Sequence, residues 1–219
     1  MSPRQYKMGA RAEAVVKTRT AIVGAARELH SERGLVATSW DDIAERAGVS
    51  TATVYRHFPS LAELVPACAQ TVFDLIQPLT AEQAAGTFAP YGRAADRFEH
   101  IARYSAHCYQ AGADWLRAGH RERDFLPELE SAMGVIEDSL HVLVTTAAGR
   151  RLSKVDHNLL FVLCDFPLWW SLTASGLPAR TVEEAMVRLV HAEVARIGLD
   201  AEPQLNPAAA GRRQQRSKP

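Results

Sequence analysis

Apolar residues recur every three or four positions along most of this chain, which is the spacing of amphipathic α-helices. Glycines, prolines and Ser/Thr residues with an acidic residue three positions later mark where these stretches begin and end. The predicted helices cover about 13–33, 39–47, 50–58, 61–76, 93–111, 113–120, 127–148, 153–175 and 181–197. Residues 77–92 contain two prolines and two glycines and are predicted to form a loop or hinge. Long helices with short polar connections favour an all-α bundle.

Capping motifs and prolines refine this pattern. Four predicted N-terminal capping motifs pair Ser39 with Asp42, Ser60 with Glu63, Ser153 with Asp156 and Thr181 with Glu184. Pro66 falls a few residues after the start of its helix, where fewer backbone hydrogen bonds are lost. Pro167 lies deep inside the 153–175 helix and therefore predicts a kink there.

The segment Ser39–Phe58 predicts two short helices joined by a sharp turn. Gly48 stands where the first helix has to end, because glycine adopts a positive φ without a Cβ clash. Ser50 follows as the N-cap of the second helix. The apolar positions that hold the pair together are Ile43, Ala44, Ala47, Val49, Val54 and Phe58. The outer face of the second helix is short and polar, which suits insertion into the major groove of DNA.

Three stretches of this segment, Ile43-Ala44, Ala47–Ser50 and Val54–Ser60, resemble the DNA-binding domain of the tetracycline-repressor (TetR) family. The resemblance implies an all-α homodimer with an N-terminal three-helix helix-turn-helix domain, followed by a helical-bundle domain for ligand binding and dimerisation. Members of the family are usually repressors that a small molecule releases from DNA. They commonly carry a lysine where this chain has Leu61, so Arg56 or the basic residues before the first helix are the alternative phosphate contacts.

The second helix of the motif and the start of the first supply the candidate DNA contacts. Arg56 can pair with guanine, and Thr51 and Thr53 can meet a thymine methyl group. Tyr55 and His57 are expected to contact phosphates. The start of the first helix is expected to meet the DNA backbone, and the tryptophan there is alternatively filling against the preceding helix. The complete set is Thr38, Ser39, Trp40, Ser50, Thr51, Ala52, Thr53, Tyr55, Arg56 and His57.

The net charge of zero hides a difference between three parts of the chain. Residues 1–60 carry nine Lys and Arg against six Asp and Glu, residues 61–198 carry twelve against seventeen, and residues 199–219 carry four against two. The basic excess thus lies where attraction to phosphates requires it. The predicted domains are a DNA-binding domain with its N-terminal arm over 1–60, a ligand-binding and dimerisation domain over 61–198, and a disordered basic tail over 199–219.

The sequence argues against a membrane or secreted protein. No apolar run reaches the roughly 18 residues of a transmembrane helix, and residues 1–19 are too polar for a signal peptide. Cys68, Cys108 and Cys164 are odd in number and far apart, which fits a reduced compartment. A cytoplasmic protein without membrane contact is therefore expected.

A non-enzymatic protein without metal or cofactor is also expected. There is no nucleophile elbow, phosphate-binding loop, HExxH motif or glycine-rich dinucleotide turn. His100 and His107 lie two helical turns apart, about 10 Å, which is too far to share a metal ion. An enzyme is the alternative if His107, Cys108 and Asp124 converge.

The 61–198 domain holds three of the four tryptophans, which predicts a mostly apolar cavity with a few polar groups. The residues expected to line it are Tyr104, His107, Trp115, Phe125, Phe166, Trp169 and Trp170. Adjacent Trp169 and Trp170 cannot face the same direction on a helix, so one should face a cavity or a partner subunit. Ordinary core packing is the alternative for each of these side chains. The expected ligand is a mid-sized hydrophobic or aromatic compound.

The last two predicted helices, near 155–175 and 182–197, carry apolar stripes. These stripes form either a monomer core or, as the resemblance implies, a four-helix bundle with a second subunit. The expected function is a ligand-responsive transcriptional regulator, a repressor by resemblance, that binds a palindromic operator as a homodimer. The alternative is a DNA-bound adaptor that responds to a protein partner and has no small-molecule pocket.

Overall fold

All of the regular structure between Pro3 and Asp200, the part of the chain that the computed structural model describes, is helical. The helices are α1 Pro3–Arg33, α2 Trp40–Ala47, α3 Thr51–His57, α4 Leu61–Ile76, α5 Ala81–Phe88, α6 Ala94–Glu122, α7 Pro127–Ala148, α8 Lys154–Cys164, α9 Phe166–Ala174 and α10 Ala179–Ile197. A short 3-10 helix, Arg123–Phe125, joins α6 to α7. The predicted all-α class is confirmed. None of the described helices is both long and apolar enough to span a membrane.

Two hydrophobic clusters lie along the molecule, and α4 contributes to both. The N-terminal cluster joins α1, α2 and α3 through Ile22, Val23, Ala25, Ala26, Leu29, Ile43, Ala44, Val54 and Phe58. Leu64 and Cys68 complete it from one face of α4. An adjacent face of α4 packs into a larger cluster with α5–α10, which we call the bundle, through Val65, Ala69, Val72 and Ile76. Because one helix belongs to both cores, a displacement of α4 moves the first three helices relative to the bundle.

Local caps produce the predicted pair of short helices. Asp42 N–H donates to Ser39 Oγ at 3.2 Å, and Ser39 N–H donates to Asp42 Oδ2 at 2.9 Å, which closes the predicted capping box. Gly48 has φ 68° and ends α2. Thr53 N–H donates to Ser50 Oγ at 3.2 Å and begins α3. The predicted helix-turn-helix is therefore confirmed down to its individual caps.

Two predictions for the middle of the chain are wrong. Residues 77–92 are not a continuous loop, because Thr80 and Gln83 form a capping box for α5, which buries Ala84 and Phe88 against the bundle. The predicted break between 93–111 and 113–120 is absent, since α6 is a single helix from Ala94 to Glu122. Gly112 lies buried inside that helix, where packing against the neighbouring helices outweighs its weak helix propensity.

Two helix boundaries also differ from prediction. Helix α1 already includes Pro3, well before the predicted start. The predicted 153–175 helix is divided in two at Asp165, whose Oδ1 accepts a hydrogen bond from Phe166 N–H at 2.8 Å. Pro167 therefore lies in the first turn of α9, where it removes no helical hydrogen bond, and does not kink a longer helix.

Two of the four predicted capping motifs fail. Thr181 lies inside α10, because this helix already begins at Ala179 after Pro178. Ser60 occupies the N-cap position of α4, but its side chain accepts no hydrogen bond there. Favourable residues at the right spacing permit a capping bond, and the backbone geometry decides whether the bond forms.

The first residues of the predicted disordered tail are ordered. Asp200 accepts hydrogen bonds from Ala94 N–H at 2.5 Å and Ala95 N–H at 3.0 Å, so it caps the N-terminus of α6. Leu199 packs against the bundle. The tail prediction therefore fails for these two residues, and the rest of the predicted tail, from 201 onward, lies outside the described residues.

Buried His30 of α1 predicts a pH dependence of stability. Burial lowers its pKa to about 4, although the nearby Glu122 carboxylate opposes this shift. The unfolded chain binds a proton at His30 below about pH 6.5, while the folded chain stays neutral until about pH 4. Stability is therefore lost as the pH falls, by about 2 kcal/mol between pH 8 and pH 5.

Urea unfolding at these two pH values measures the effect. His30→Leu should remove this share of the pH dependence, and His107→Gln, at an exposed histidine, is the control for loss of an imidazole. An equal pH dependence in the wild type and His30→Leu would contradict the assignment.

Candidate DNA-binding surface and effector site

The outer face of α3 presents polar side chains to solvent. Its exposed or half-buried residues are Thr51, Ala52, Thr53, Tyr55, Arg56 and His57. The Thr51 hydroxyl donates to Asp41 Oδ1 at 2.6 Å, which ties α3 to the first turn of α2. Arg56 Nη2 lies 3.5 Å from Thr53 Oγ1, and Arg56 forms no ion pair within the described part of the chain. Its guanidinium is therefore available for a base edge or a phosphate.

The hydroxyls at the start of α2 are engaged within the protein. Ser39 Oγ donates to Asp42 Oδ2 at 2.5 Å, and the Thr38 hydroxyl donates to a backbone carbonyl four residues earlier at 2.7 Å. Hydrogen bonds from Ser39 and, as a smaller contribution, from the Arg33 guanidinium lower the pKa of Asp42 to about 2. Asp41 and Asp42 thus place two carboxylates in the first turn of α2. These charges oppose a phosphate beside this turn, although they stabilise the helix itself.

Trp40 joins the two helices of the motif. Its ring lies 5.1 Å from the ring of Tyr55, measured between centroids, with an angle of 35° between the planes. Trp40 also packs, partly buried, against the N-terminal cluster. Trp40 therefore contributes to the packing of the N-terminal cluster and also fixes the position of Tyr55 on the exposed face of α3.

Further candidate DNA contacts lie on α1, where sequence reasoning missed them. A surface hollow of about 580 Å³ is lined by Arg11, Ala14, Val15, Thr18, Arg56 and His57. Arg19 lies at the same corner: its Nη1 donates to His57 O at 3.1 Å, and its guanidinium lies 4.1 Å from the centre of the Phe58 ring. Pro3 was the available signal, because proline is favoured in the first turn of a helix and so permits a helix that includes these residues.

Three of the seven predicted effector-contacting residues pack together. Phe166 lies with its ring centre 5.7 Å from that of Trp169 and 6.1 Å from that of Trp170. Tyr109 and His120 complete this aromatic cluster, and their ring centres lie 5.5 Å and 5.0 Å from the ring centre of Phe166. Trp169 is buried, whereas half-buried Trp170 lies under the guanidinium of an α6 arginine. The cluster is a packed part of the core.

The other predicted effector-contacting residues are dispersed. Trp115 is buried beside a groove between α1, α4 and α6. His107 is exposed on α6, and Phe125 is 73% exposed in the 3-10 helix. Tyr104 borders a cavity inside the bundle. The structure therefore does not bring the seven residues together around one space.

The Tyr104 cavity lies where the C-terminal end of α4 meets α6 and α7. Its volume of about 30 Å³ suffices for roughly one water molecule. The lining is mostly apolar and consists of Ile76, Pro78, Tyr104, Ser105, Cys108, Tyr109, Ile136, Ser139, Leu140 and Leu143. A mid-sized ligand enters this space only if the surrounding helices move apart.

Hydrogen bonds tie the end of α4 to the walls of this cavity. The Tyr104 hydroxyl donates to Ile76 O at 2.7 Å, and burial raises the pKa of Tyr104, which keeps this donor protonated. Ser139 Oγ accepts from Leu79 N–H at 2.7 Å. Gln77, between these attachments, has φ 46° and ψ 66°, a left-handed conformation that costs free energy in a residue with a Cβ. The end of α4 is thus both anchored and strained.

Apolar side chains of α8 and α10 remain exposed in the single chain. They are Val155, Leu159 and Val162 of α8 and Leu189 of α10, with exposed fractions of 67%, 44%, 53% and 41%. The spacing of four and three residues places the α8 members on one face. Val190, adjacent to Leu189, is fully buried within the chain and belongs to the core. Exposed apolar side chains that share one helix face are typical of an interface.

The described residues contain no cluster of three or more His, Cys, Asp or Glu side chains that could hold a metal ion. Cys68, Cys108 and Cys164 are buried free thiols. Burial raises the pKa of each of them, to about 12 for Cys68, so they stay protonated and weakly nucleophilic. His107 is exposed while neighbouring Cys108 faces Ile76 O in the interior.

A short polar helix on a small three-helix core, followed by a larger helical bundle, is the arrangement in which helix-turn-helix regulators present a helix to DNA. Residues 22–68 match the family described as bacterial regulatory proteins, tetR family. This match over the helix-turn-helix segment agrees with the resemblance to the TetR family that the sequence predicts. Among curated proteins, the sequence has no match.

Solved structures share the fold over most of the chain. A protein described as a TetR-family transcriptional regulator from Mesorhizobium loti is 20% identical, with a TM-score of 0.60, over 83% of this chain and 96% of that one. A transcriptional regulator from Rhodococcus sp. RHA1 is 18% identical, with a TM-score of 0.64, over 84% and 99%. The multidrug binding protein EbrR, in complex with imidazole, is 16% identical, with a TM-score of 0.55, over 78% and 88%. These similarities show a common fold.

Proposed function

We propose that this protein is a ligand-responsive repressor that binds a palindromic operator as a homodimer in the cytoplasm. A small hydrophobic or aromatic molecule releases it. The observation that carries the proposal is the course of α4. This helix packs into the N-terminal core through Leu64 and Cys68, and its far end is hydrogen-bonded at the Tyr104 cavity. One helix therefore links the DNA-reading surface to the place in the bundle where a ligand acts.

DNA reading is assigned to α3, with support from α1. Arg56 reads a base edge, because it is exposed, makes only the long contact to Thr53 Oγ1 and can form a bidentate pair with guanine. Arg11 and Arg19 of α1 hold phosphates at the C-terminal end of α3, where they lie beside His57. They replace the contact that the family's lysine would make, since Leu61 packs against the bundle.

Dimerisation is assigned to the exposed apolar face of α8 and α10. Two copies joined there form a symmetric four-helix contact and present two α3 helices to one side of the assembly. Successive major grooves lie about 34–36 Å apart, so a palindrome matches the two-fold symmetry when the two helices keep that spacing.

Release is assigned to the opening of the Tyr104 cavity. An effector larger than a water molecule displaces Ile76 and Pro78 from the cavity wall and breaks the hydrogen bond from Tyr104 to Ile76 O. The strain at Gln77 eases this opening. Since α4 continues into the N-terminal core, its displacement changes the spacing of the two α3 helices. The effector has to bind the open state more tightly than the closed one, because equal affinity shifts no equilibrium.

The small size of the cavity also favours a second candidate function. A DNA-bound adaptor controlled by a protein partner needs no internal space, and the bundle is nearly filled. A screen of one-ring to three-ring aromatic compounds against the operator complex separates the two candidates. Fluorescence anisotropy of the DNA reports release, and tryptophan quenching reports binding.

The repressor proposal predicts compounds that both quench tryptophan fluorescence and release the operator. It also predicts that a substitution at Tyr104 changes the concentration of compound needed for release. Tyr104→Phe removes the hydroxyl that anchors α4 and should therefore lower the effector concentration needed for release. Tyr91→Phe is the matched control, because its hydroxyl contacts His100 and not α4. A broad screen in which no compound quenches tryptophan fluorescence or releases the operator would favour the adaptor function.

Arg56→Ala should weaken specific operator binding by about 1–3 kcal/mol, because a bidentate contact to a base is lost. Anisotropy titrations with the operator and with a scrambled duplex measure the change. Arg180→Ala, which removes an exposed arginine of α10, is the control. Equal losses on both duplexes would assign Arg56 to a phosphate, and unchanged affinity on both would remove it from the DNA-binding surface.

A further inference from the structure

A buried carboxylate joins the two parts of the molecule at the opposite end from the Tyr104 cavity. Glu122 is the last residue of α6 and is only 7% exposed. Its Oε2 accepts hydrogen bonds from Leu35 N–H at 2.6 Å and from Val36 N–H at 3.1 Å. Arg121 Nη2 donates to Oε1 at 2.7 Å. We call Glu122 and the two amides the Glu122 clamp.

The chain around the clamp is shaped to fit it. Gly34 has φ +92°, and a Cβ at this position would lie 1.9 Å from Glu122 Oε1. The backbone conformation therefore favours glycine there, and a larger residue would also displace the carboxylate from its present position. The Leu35 side chain is buried in the bundle, although it belongs to the connection between α1 and α2. Backbone and side chain thus hold this connection to the bundle independently.

The clamp carries a charge that the fold stabilises. Burial alone raises the pKa of Glu122, but Arg121 and the N–H groups of Val36 and Leu35 outweigh it and hold that pKa below its usual value. His30, the other titratable group close to the carboxylate, is buried and uncharged at neutral pH. An ionised carboxylate that lost its two amides inside the protein would be costly, so the clamp resists partial displacement.

The position of the clamp connects the effector site with the DNA-binding surface. Tyr104 and Glu122 lie on the same uninterrupted helix, and 18 residues of α-helix span about 27 Å. A movement of α6 at the cavity is therefore carried to the clamp. On the other side, Ser39 caps α2 three residues after Val36, so a shift of the clamped amides moves the start of the helix-turn-helix.

We propose that Glu122 is a positioning residue that couples the state of the bundle to the placement of α2 and α3. This inference rests on the proposed function. With α4 alone, the DNA-binding domain could turn about one helix. With the clamp as a second attachment, a change at the cavity is transmitted as a defined displacement of the reading face.

Hydrogen–deuterium exchange of the full-length protein tests the coupling, with and without its selected operator duplex. Coupling is reciprocal, so operator binding should slow exchange around Ile76 and Tyr104 in the wild type. In Glu122→Gln, the Leu35 and Val36 amides should exchange about tenfold faster, because charge-assisted hydrogen bonds are lost. The operator should still bind, and its effect on the cavity segment should disappear. Asp114→Asn, an exposed carboxylate-to-amide change on the same helix, should behave as wild type.

The outcomes separate this inference from the proposed function. If Glu122→Gln keeps the operator-induced protection around Tyr104, or if its Leu35 and Val36 amides exchange as in the wild type, the coupling role is wrong. A wild type that binds no specific duplex would refute the proposed function. In that case, Glu122→Gln must still accelerate exchange at Ile76 and Tyr104 in the free protein, and a change confined to Leu35 and Val36 overturns the coupling. Arg121→Gln, at a half-exposed side chain, supplies a milder variant should Glu122→Gln unfold.

Discussion

Replacing both Val162 and Leu189 with glutamate should convert the dimer into monomers and lower operator affinity by at least about 100-fold. Both side chains are exposed and apolar in the single chain, so the substitution leaves the protomer core intact. At the proposed interface, however, four carboxylates from two subunits would face one another without partners. A monomer engages one half-site at a time and loses the gain in affinity that comes from joining two reading helices.

Sedimentation and operator titration measure this effect together. Val135→Glu, at an exposed apolar position of α7, is the matched control and should remain dimeric. Val190→Glu is unsuitable as a test, since buried Val190 belongs to the core and its loss would unfold the protomer. A double variant that sediments as an unchanged dimer would place the interface elsewhere.

Phe58→Ala should destabilise the DNA-binding domain by about 3–5 kcal/mol and abolish operator binding while the bundle stays folded. Phe58 is fully buried at the end of α3, in the cluster that excludes α5–α10. Its ring also supports the Arg19 guanidinium at 4.1 Å. The substitution leaves a cavity beneath the reading face and removes the platform of a proposed phosphate contact.

Thermal unfolding followed by circular dichroism should show an early partial transition in Phe58→Ala, followed by unfolding of the bundle. Phe125→Ala, at a largely exposed phenylalanine, is the control and should change stability by no more than about 0.5 kcal/mol. A single cooperative transition at a lower temperature would show that the two clusters unfold as one unit.

The DNA-binding domain was predictable in detail because its signals are local. The capping box of Ser39 and Asp42, the glycine at position 48 and the cap at Ser50 each act within a few residues, and the structure contains all three. Where local signals competed with packing, prediction failed. The glycines and prolines of 77–92 suggested a loop, although Thr80 and Gln83 cap a helix there.

The proposed effector site was not predictable in the same way, because a cavity depends on how distant helices face one another. Composition pointed to aromatic residues, yet Phe166 and Trp169 fill the core and Phe125 lies at the surface. Of that set, Tyr104 borders the cavity, and it does so through a contact to Ile76 on another helix. The Glu122 clamp joins residues 87 positions apart, so no sequence motif marks it.

Selection of binding sites from random DNA duplexes with the full-length protein tests the central claim most directly. The account predicts an enriched inverted repeat whose half-site centres lie about 10–10.5 base pairs apart, or a multiple of this, because two α3 helices of a symmetric dimer read successive major grooves. Enrichment of an unrepeated site, or of no sequence at all, would contradict it.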